Sequence, residues 1–306
     1  MDTPPDLPPG QAFELAGRGR TWMFDSGPPS ATYRLDDPAP LLLLHGWTSS
    51  AALNWYRCFP ALSDRYRVIA LDHRGHGRGI RSRKLFRLED CADDAAALIR
   101  QLGCGPCTVV GYSMGGPIAQ LLWLRHPEVV RELVLCATSC SFAVGQRPKA
   151  LTTSWLTATV ALSATPPLLR DLAMGCAASR WRRSHSASEW ATSEWQRHDP
   201  AAVLQAGVAL TSYDASSWIG QVDVPTAVVL TQRDTTVQPA RQRRLADLIP
   251  ESVVVPVDSD HRACVDEPQL FVPALIEACE TVREPSRVRL KLTSDNAESA
   301  LEGSKP

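Results

Sequence analysis

Residues 109 to 116 are Val109-Val110-Gly111-Tyr112-Ser113-Met114-Gly115-Gly116. The apolar half is typical of a buried strand, and the glycines on both sides of Ser113 permit a sharp turn from that strand into a helix. Glycine suits these positions because the turn strains the serine backbone, and larger side chains would collide with the crossing elements. The pattern therefore predicts a serine hydroxyl held out at a strand end. The pattern from Gly111 to Gly115 is only five residues long and a weak signal by itself, so the interpretation depends on the rest of the chain.

Length and composition indicate an ordinary globular protein of 306 residues, with 44% hydrophobic and 21% charged residues. A formal net charge of -1 gives no general reason to expect nucleic acid binding. The nine cysteines are odd in number and scattered, which is more typical of free thiols in a reducing compartment than of a disulfide framework. Neither a secretory signal nor an apolar run of membrane-spanning length is visible, so we expect a cytoplasmic protein.

Strand and helix patterns alternate on both sides of the turn. Leu41-Leu42-Leu43-Leu44 is typical of a strand buried on both faces of a parallel sheet. The repeated strand-helix-strand units predict an α/β fold with a doubly wound, mainly parallel sheet. An antiparallel pair is predicted at 13–15 and 21–24, further strands at 66–71, 107–110, 133–137, 226–230 and 252–257, and helices at 88–102, 114–125, 240–248 and around Phe271 to Ala278.

The alternation stops after residue 140 and resumes near 214. The helix-like, tryptophan-rich residues 141–213 are therefore predicted to be a helical cap inserted into a core formed by 12–140 and 214–283. The proline-rich residues 1–11 and the polar residues 284–306 are predicted to be disordered tails.

Two later residues complete a set that could activate Ser113. A serine hydroxyl is a poor nucleophile unless a histidine takes its proton, and that histidine needs a carboxylate to orient it. Asp234 follows the predicted strand 226–230, and His261 follows the strand 252–257. The order Ser113, Asp234, His261 therefore predicts a catalytic triad. Asp260, directly before His261, remains a possible competitor for the imidazole.

An oxyanion that forms during attack by Ser113 needs backbone N–H donors. One donor is expected from Met114, the residue after the serine, and the other from Trp47 in the loop that follows the leucine run. His45, Gly46, Gly111 and Gly115 are predicted to support these two loops. No metal site is expected, because no third His or nearby Cys completes the pair His73 and His76.

These motifs together resemble the α/β-hydrolase superfamily, in its capped, serine esterase and lipase-like branch. The resemblance covers residues 12–282 apart from the cap. It implies the α/β-hydrolase fold with no cofactor, Ser113 as nucleophile, His261 as base, Asp234 as orienting acid, and Trp47 and Met114 as oxyanion donors. Serine at the turn argues against the related epoxide hydrolases and haloalkane dehalogenases, which have aspartate there. The motifs that carry the resemblance are His45-Gly46-Trp47, Asp72-His73-Arg74-Gly75-His76-Gly77, Gly111-Tyr112-Ser113-Met114-Gly115-Gly116, Asp234 and His261.

The expected function is a serine hydrolase that cleaves an apolar carboxylic ester, of the carboxylesterase or acylglycerol lipase type. Carbon-carbon bond hydrolysis or peracid formation by the same triad stays open. A ligand-binding or acyl-transferring protein that keeps the fold is an alternative of another class.

The cap region admits two interpretations. It is either a tryptophan-packed helical cap with a solvated basic rim, or an apolar acyl pocket whose mouth contacts an anionic membrane surface. The second interpretation adds a peripheral membrane contact to the expected small-molecule ester partner. The residues concerned are Trp155, Trp181, Trp190, Trp195 and Trp218, with Arg78, Arg81, Arg83, Lys84, Arg87, Arg180, Arg182 and Arg183.

Overall fold

The computed structural model describes residues 7–28, 39–142, 175–177, 179–180, 182–183 and 188–283. Its strands form one eight-stranded sheet. They are β1 (Gln11–Leu15), β2 (Gly19–Asp25), β3 (Leu41–Leu44), β4 (Val68–Leu71), β5 (Cys107–Tyr112), β6 (Val130–Cys136), β7 (Thr226–Thr231) and β8 (Val253–Val257). The order across the sheet is β1-β2-β4-β3-β5-β6-β7-β8. Strands β3 to β8 pair in parallel, whereas β2 is antiparallel to both β1 and β4. The predicted α/β fold with a mainly parallel sheet is confirmed.

Helices cover both faces of the sheet. They are α1 (Ala51–Trp55), α2 (Phe59–Ser63), α3 (Leu88–Leu102), α4 (Gly115–Arg125), α5 (Glu189–Trp195), α6 (Pro200–Thr211), α7 (Pro239–Leu248), α8 (Ala263–Asp266) and α9 (Pro268–Arg283). Alternate residues of β3 enter opposite cores, because successive side chains of a strand point to opposite faces. Leu42 and Leu44 pack in the core that contains α3, α4 and α7, and Leu41 and Leu43 in the one that contains α1, α2 and α9. This two-sided burial explains the unbroken leucine run.

Several strand boundaries differ from the predicted ones by one to three residues, among them those of β4 and β6. Strand β4 begins at Val68 rather than at 66, because the Tyr66 N–H bonds to the Leu62 oxygen at 2.8 Å and so closes the turn after α2. Strand β6 begins at Val130, opposite Cys107, and ends before Ala137, whose φ is +47°. Helix α3 has the predicted bounds, and Gly103 ends it in the left-handed conformation at φ +59°.

Much of the predicted cap and most of both predicted tails lie outside the described residues. Within 141–213, the described part contains α5 and α6, which fall between β6 and β7 along the chain. Residues 1–6 and 284–306 are outside the description as well. Within the residues that are described, no helix combines the length and apolarity needed to cross a bilayer.

Candidate active site

Ser113 lies between β5 and α4 with a strained backbone. Its φ is +52°, in the left-handed region that a non-glycine residue rarely adopts. Hydrogen bonds hold this conformation: the Ser113 N–H donates to the Cys136 oxygen at 2.9 Å, and its carbonyl accepts from Thr138 Oγ1 at 2.7 Å. The neighbouring strand β6 and the residues that follow it therefore fix the turn from outside.

Gly111 and Gly115 allow the strand and the helix to cross at very short range. A Cβ atom on Gly111 would collide with the Gly115 carbonyl, and one on Gly115 would collide with the Leu44 carbonyl. The colliding backbone belongs to α4 in the first case and to β3 in the second, and neither can move away without disturbing the packing of the helix on the sheet. Both glycines are thus required by close packing.

Ser113, His261 and Asp234 form one continuous hydrogen-bonded chain. Ser113 Oγ lies 2.9 Å from His261 Nε2, and His261 Nδ1 lies 2.7 Å from Asp234 Oδ2. The carboxylate favours a proton on Nδ1, which leaves Nε2 to accept the proton of the serine hydroxyl. This is the geometry that general-base activation of a serine requires.

Both oxygens of Asp234 are saturated with donors in a site where its side chain has no exposed surface. Oδ1 accepts from the N–H groups of Thr236 and Val237, each at 2.8 Å. Oδ2 accepts from Thr231 Oγ1 at 2.9 Å and from Gln242 Nε2 at 3.2 Å, besides facing His261. A buried carboxylate with this many donors is held in one orientation.

Asp260 does not compete for the imidazole. Its side chain is exposed, and Oδ1 accepts the Arg262 N–H at 2.7 Å. The open alternative from the sequence is therefore resolved by geometry: Asp234 contacts His261, and Asp260 closes a turn beside it.

The loop predicted to supply an oxyanion donor lies directly against Ser113. A Cβ atom on Gly46 would lie 3.3 Å from the Ser113 Cβ, so this loop approaches the nucleophile closely. The Gly46 N–H donates to Asn54 Oδ1 at 2.9 Å, and its carbonyl accepts from His45 Nδ1 at 2.8 Å. Trp47 follows, with its indole Nε1 donating to the Val203 oxygen at 2.8 Å. Met114 is the residue directly before α4.

Three positioning side chains were missed by sequence reasoning. Asn54 is buried, and its Nδ2 reaches Cys264 Sγ at 3.6 Å, linking the Gly46 loop to the segment after His261. Gln242 on α7 braces Asp234, and the Tyr112 hydroxyl donates to the His261 carbonyl at 2.8 Å. Asn54 and Gln242 each come eight positions after a site residue. That spacing carries no recognised signal, because the contacts exist only once the elements pack.

Four buried histidines form a cluster behind the Gly46 loop. The ring centroids of His45 and His73 are 4.1 Å apart, and those of His76 lie 5.5 Å from both His45 and His198. Burial lowers the pKa of His73 and His198 to about 3 and that of His76 to about 4, and it holds the pKa of His45 well below its usual range. The cluster is neutral near pH 7. No grouping of metal-ligand type is found among the described His, Cys, Asp and Glu residues.

A cavity of about 520 Å³ opens above Ser113 and His261. Its walls come from α1 and the turn after it, from α5, and from α8. Apolar groups such as Leu53, Ala191 and Val265 alternate with polar ones such as Ser188 and Asn54. The cavity is large enough for a small-molecule acyl compound.

The tryptophans and basic residues of the cap region have varied surroundings. Trp155 and Trp181 lie outside the described residues. Trp190 packs against Tyr56 at 5.2 Å, and Trp218 stacks on Trp123 at 6.4 Å. Arg78 pairs with Glu194 at 2.8 Å. On the loop before α3, Arg83 and Lys84 are exposed, as is Leu85, with 67% of its surface accessible.

Comparisons with known proteins agree with this architecture. A family profile described as alpha/beta hydrolase fold matches residues 39–268. The chain is 31% identical over 250 residues to the pimeloyl-(acyl-carrier protein) methyl ester esterase of Chromobacterium violaceum, a match that covers 79% of this chain and 94% of that protein. It is 36% identical over 111 residues to the 2-(acetamidomethylene)succinate hydrolase of Mesorhizobium japonicum, covering 36% of this chain and 40% of that one.

The fold also matches a solved structure. A hydrolase from Pseudomonas aeruginosa PA01 superposes with a TM-score of 0.70 at 19% identity, and the match covers 88% of this chain and 98% of that chain. At this identity the likeness concerns the fold.

Proposed function

The chain belongs to the α/β-hydrolase fold family, and we propose that it is a serine hydrolase that cleaves a carboxylic ester through an acyl-enzyme. The observation that carries the proposal is the hydrogen-bonded chain of Ser113, His261 and Asp234, with distances of 2.9 and 2.7 Å. The strained φ of +52° at Ser113 supports it, because such strain is typical of functional positions.

In the proposed first half-reaction, Ser113 Oγ attacks the ester carbonyl carbon while His261 Nε2 takes the hydroxyl proton. Asp234 stabilises the imidazolium that results. The N–H groups of Trp47 and Met114 donate to the developing oxyanion. His261 then protonates the departing alkoxide, and the acyl group stays on Ser113.

In the second half-reaction, water replaces the alcohol. His261 accepts a proton from the water, whose oxygen attacks the acyl carbon, and Ser113 leaves with the proton returned by His261. The products are the carboxylic acid and the free enzyme. Each proton that moves passes through Nε2, so the mechanism depends on the tautomer that Asp234 enforces.

The names of the relatives support hydrolysis and leave the substrate open. One is a methyl ester esterase and another a succinate-derivative hydrolase. The substrate of this chain must therefore be inferred from its own cavity. Carbon-carbon bond hydrolysis and peracid formation by the same triad remain the second candidates, because they would use the same nucleophile and base.

Pre-steady-state kinetics with a p-nitrophenyl ester series of graded acyl length test the proposal. A burst of p-nitrophenol equal to the enzyme concentration, followed by steady turnover, is expected from an acyl-enzyme. Cleavage of a vinylogous diketone without ester turnover would favour the carbon-carbon alternative. Stoichiometric acylation that never turns over would favour the acyl-binding or acyl-transferring alternative.

A further inference from the structure

The cavity above Ser113 carries a positive charge that no acidic residue of its described lining neutralises. The acidic and basic side chains of its described lining are Arg57, Arg262 and Asp266. Arg262 and Asp266 form a two-pronged pair, with Nε to Oδ2 at 2.6 Å and Nη2 to Oδ1 at 2.8 Å, so their charges cancel. Among the described residues, no carboxylate pairs with Arg57. The net charge of the described lining is therefore that of Arg57.

Arg57 is anchored through its Nε atom, which leaves its two terminal nitrogens as donors. Its Nε donates to the Tyr56 hydroxyl at 3.0 Å, and its guanidinium carbon lies 5.2 Å from the Tyr56 ring centroid. The Tyr56 ring in turn packs edge-on against Trp190 at 5.2 Å. Within the described part of the chain, the two terminal nitrogens of Arg57 make no hydrogen bond. A planar pair of N–H₂ groups fits the two oxygens of a carboxylate.

The cavity wall also offers apolar surface for an aliphatic chain that would run between Ser113 and Arg57. Leu53, Ala191 and Val265 line the same cavity as Ser113 and Arg57. An acyl chain can lie against these side chains while its ester reaches Ser113, because apolar surface is favourably removed from water there.

We propose that the preferred ester carries a free carboxylate at the end remote from the scissile bond, and that Arg57 binds it. This proposal rests on the proposed function. The substrate class is then the half-ester of an aliphatic dicarboxylic acid. Arg57 is a specificity-determining residue in this proposal and takes no part in bond breaking. Its charge favours the anionic substrate in the ground state and in the transition state alike, so its removal raises KM more than it lowers kcat.

A matched pair of esters tests the proposal. Monomethyl adipate and methyl hexanoate share a chain and differ in the terminal carboxylate. The Arg57→Gln variant should lose about ten- to a hundredfold in kcat/KM toward monomethyl adipate and change by less than about twofold toward methyl hexanoate. Arg57→Lys should recover part of the loss, because it restores the charge but not the fork. Arg20→Gln, which removes an exposed arginine on β2, is the control and should change neither value.

Equal effects of Arg57→Gln on both esters, or no effect on either, would overturn the proposal while leaving the serine hydrolase mechanism intact. Absence of any ester hydrolysis by the wild type would instead count against the proposed function. Adipate binding to Ser113→Ala, measured by calorimetry, separates these failures because it needs no turnover. Adding Arg57→Gln should weaken that binding about tenfold or more, and unchanged binding would refute the carboxylate site.

Discussion

Asn54 Oδ1 accepts the Gly46 N–H at 2.9 Å and so ties the Gly46 loop to helix α1. The same amide reaches Cys264 at 3.6 Å, in the segment that follows His261. One buried side chain thus joins the two loops that flank Ser113. A loop held this way is pre-organised, so the Trp47 N–H that we propose as an oxyanion donor would act most strongly on the charge that develops in the transition state.

Asn54→Ala should lower kcat about ten- to a hundredfold with little change in KM, because the displaced loop no longer aims its N–H at the oxyanion. Steady-state kinetics measure both constants. Cys264→Ala, which removes only the weaker of the two Asn54 contacts, is the control, and its kcat should fall by less than about threefold. A rise in KM without a fall in kcat would contradict the positioning role.

Asp234→Asn should lower kcat by about a thousandfold or more. Two backbone N–H groups at 2.8 Å require an acceptor at the Oδ1 position, so the new NH₂ must face His261. It cannot accept from Nδ1–H, and the imidazole is driven to the tautomer that carries its proton on Nε2. Asp260→Asn should leave kcat within about twofold, because Asp260 is exposed and contacts the Arg262 N–H. Equal losses in the two variants would refute the assignment of Asp234.

Gly115→Ala should destabilise the fold by at least about 3 kcal/mol or prevent folding, because its Cβ would overlap the Leu44 carbonyl. Gly17→Ala supplies a comparison, since Gly17 has φ +69° but no atom within 4 Å of the added Cβ. That substitution should cost only about 1 kcal/mol, the strain of a left-handed alanine. Urea unfolding measures both free energies. Similar values for the two variants would show that close packing at the turn is not what requires glycine.

The four buried histidines should make the fold sensitive to mild acid. They are neutral when folded, and their pKa values lie below the unfolded value of 6.5. The unfolded chain therefore binds more protons below pH 6.5, and stability falls as the pH decreases from there toward about 4. Burial raises the pKa of Asp72 to about 6. Below that pH the folded chain binds a proton on Asp72 that the unfolded chain does not, so this one group acts in the opposite direction.

Because each histidine takes up a proton in the unfolded chain, it should lower the free energy of unfolding by about 1 kcal/mol as the pH falls from 6.5 to 5.5. Urea unfolding across this range measures the loss. His73→Phe keeps a ring in the cluster and removes one titrating group, so it should reduce the loss by about a quarter. A stability that stays constant from pH 7 to 5 would contradict buried, neutral histidines.

The site residues that could be predicted from the sequence are those placed directly after a β-strand. Ser113, Asp234 and His261 each follow a β-strand, and the parallel topology brings such ends to one edge of the sheet. The fold class follows from the same alternation of strands and helices. By contrast, Asn54 and Gln242 act through contacts that only packing creates. Arg57 likewise gains meaning only from the cavity it lines and from the pairing of Arg262 with Asp266.

Labelling with a fluorophosphonate, read by intact mass and peptide mapping, tests whether Ser113 is the activated nucleophile. A serine that is activated by His261 should take up one phosphonyl group per chain, at Ser113. Ser113→Ala should show no labelling and no ester turnover while it unfolds at a similar urea concentration to the wild type. Labelling of another residue, or full activity in Ser113→Ala, would show that Ser113 is not the nucleophile.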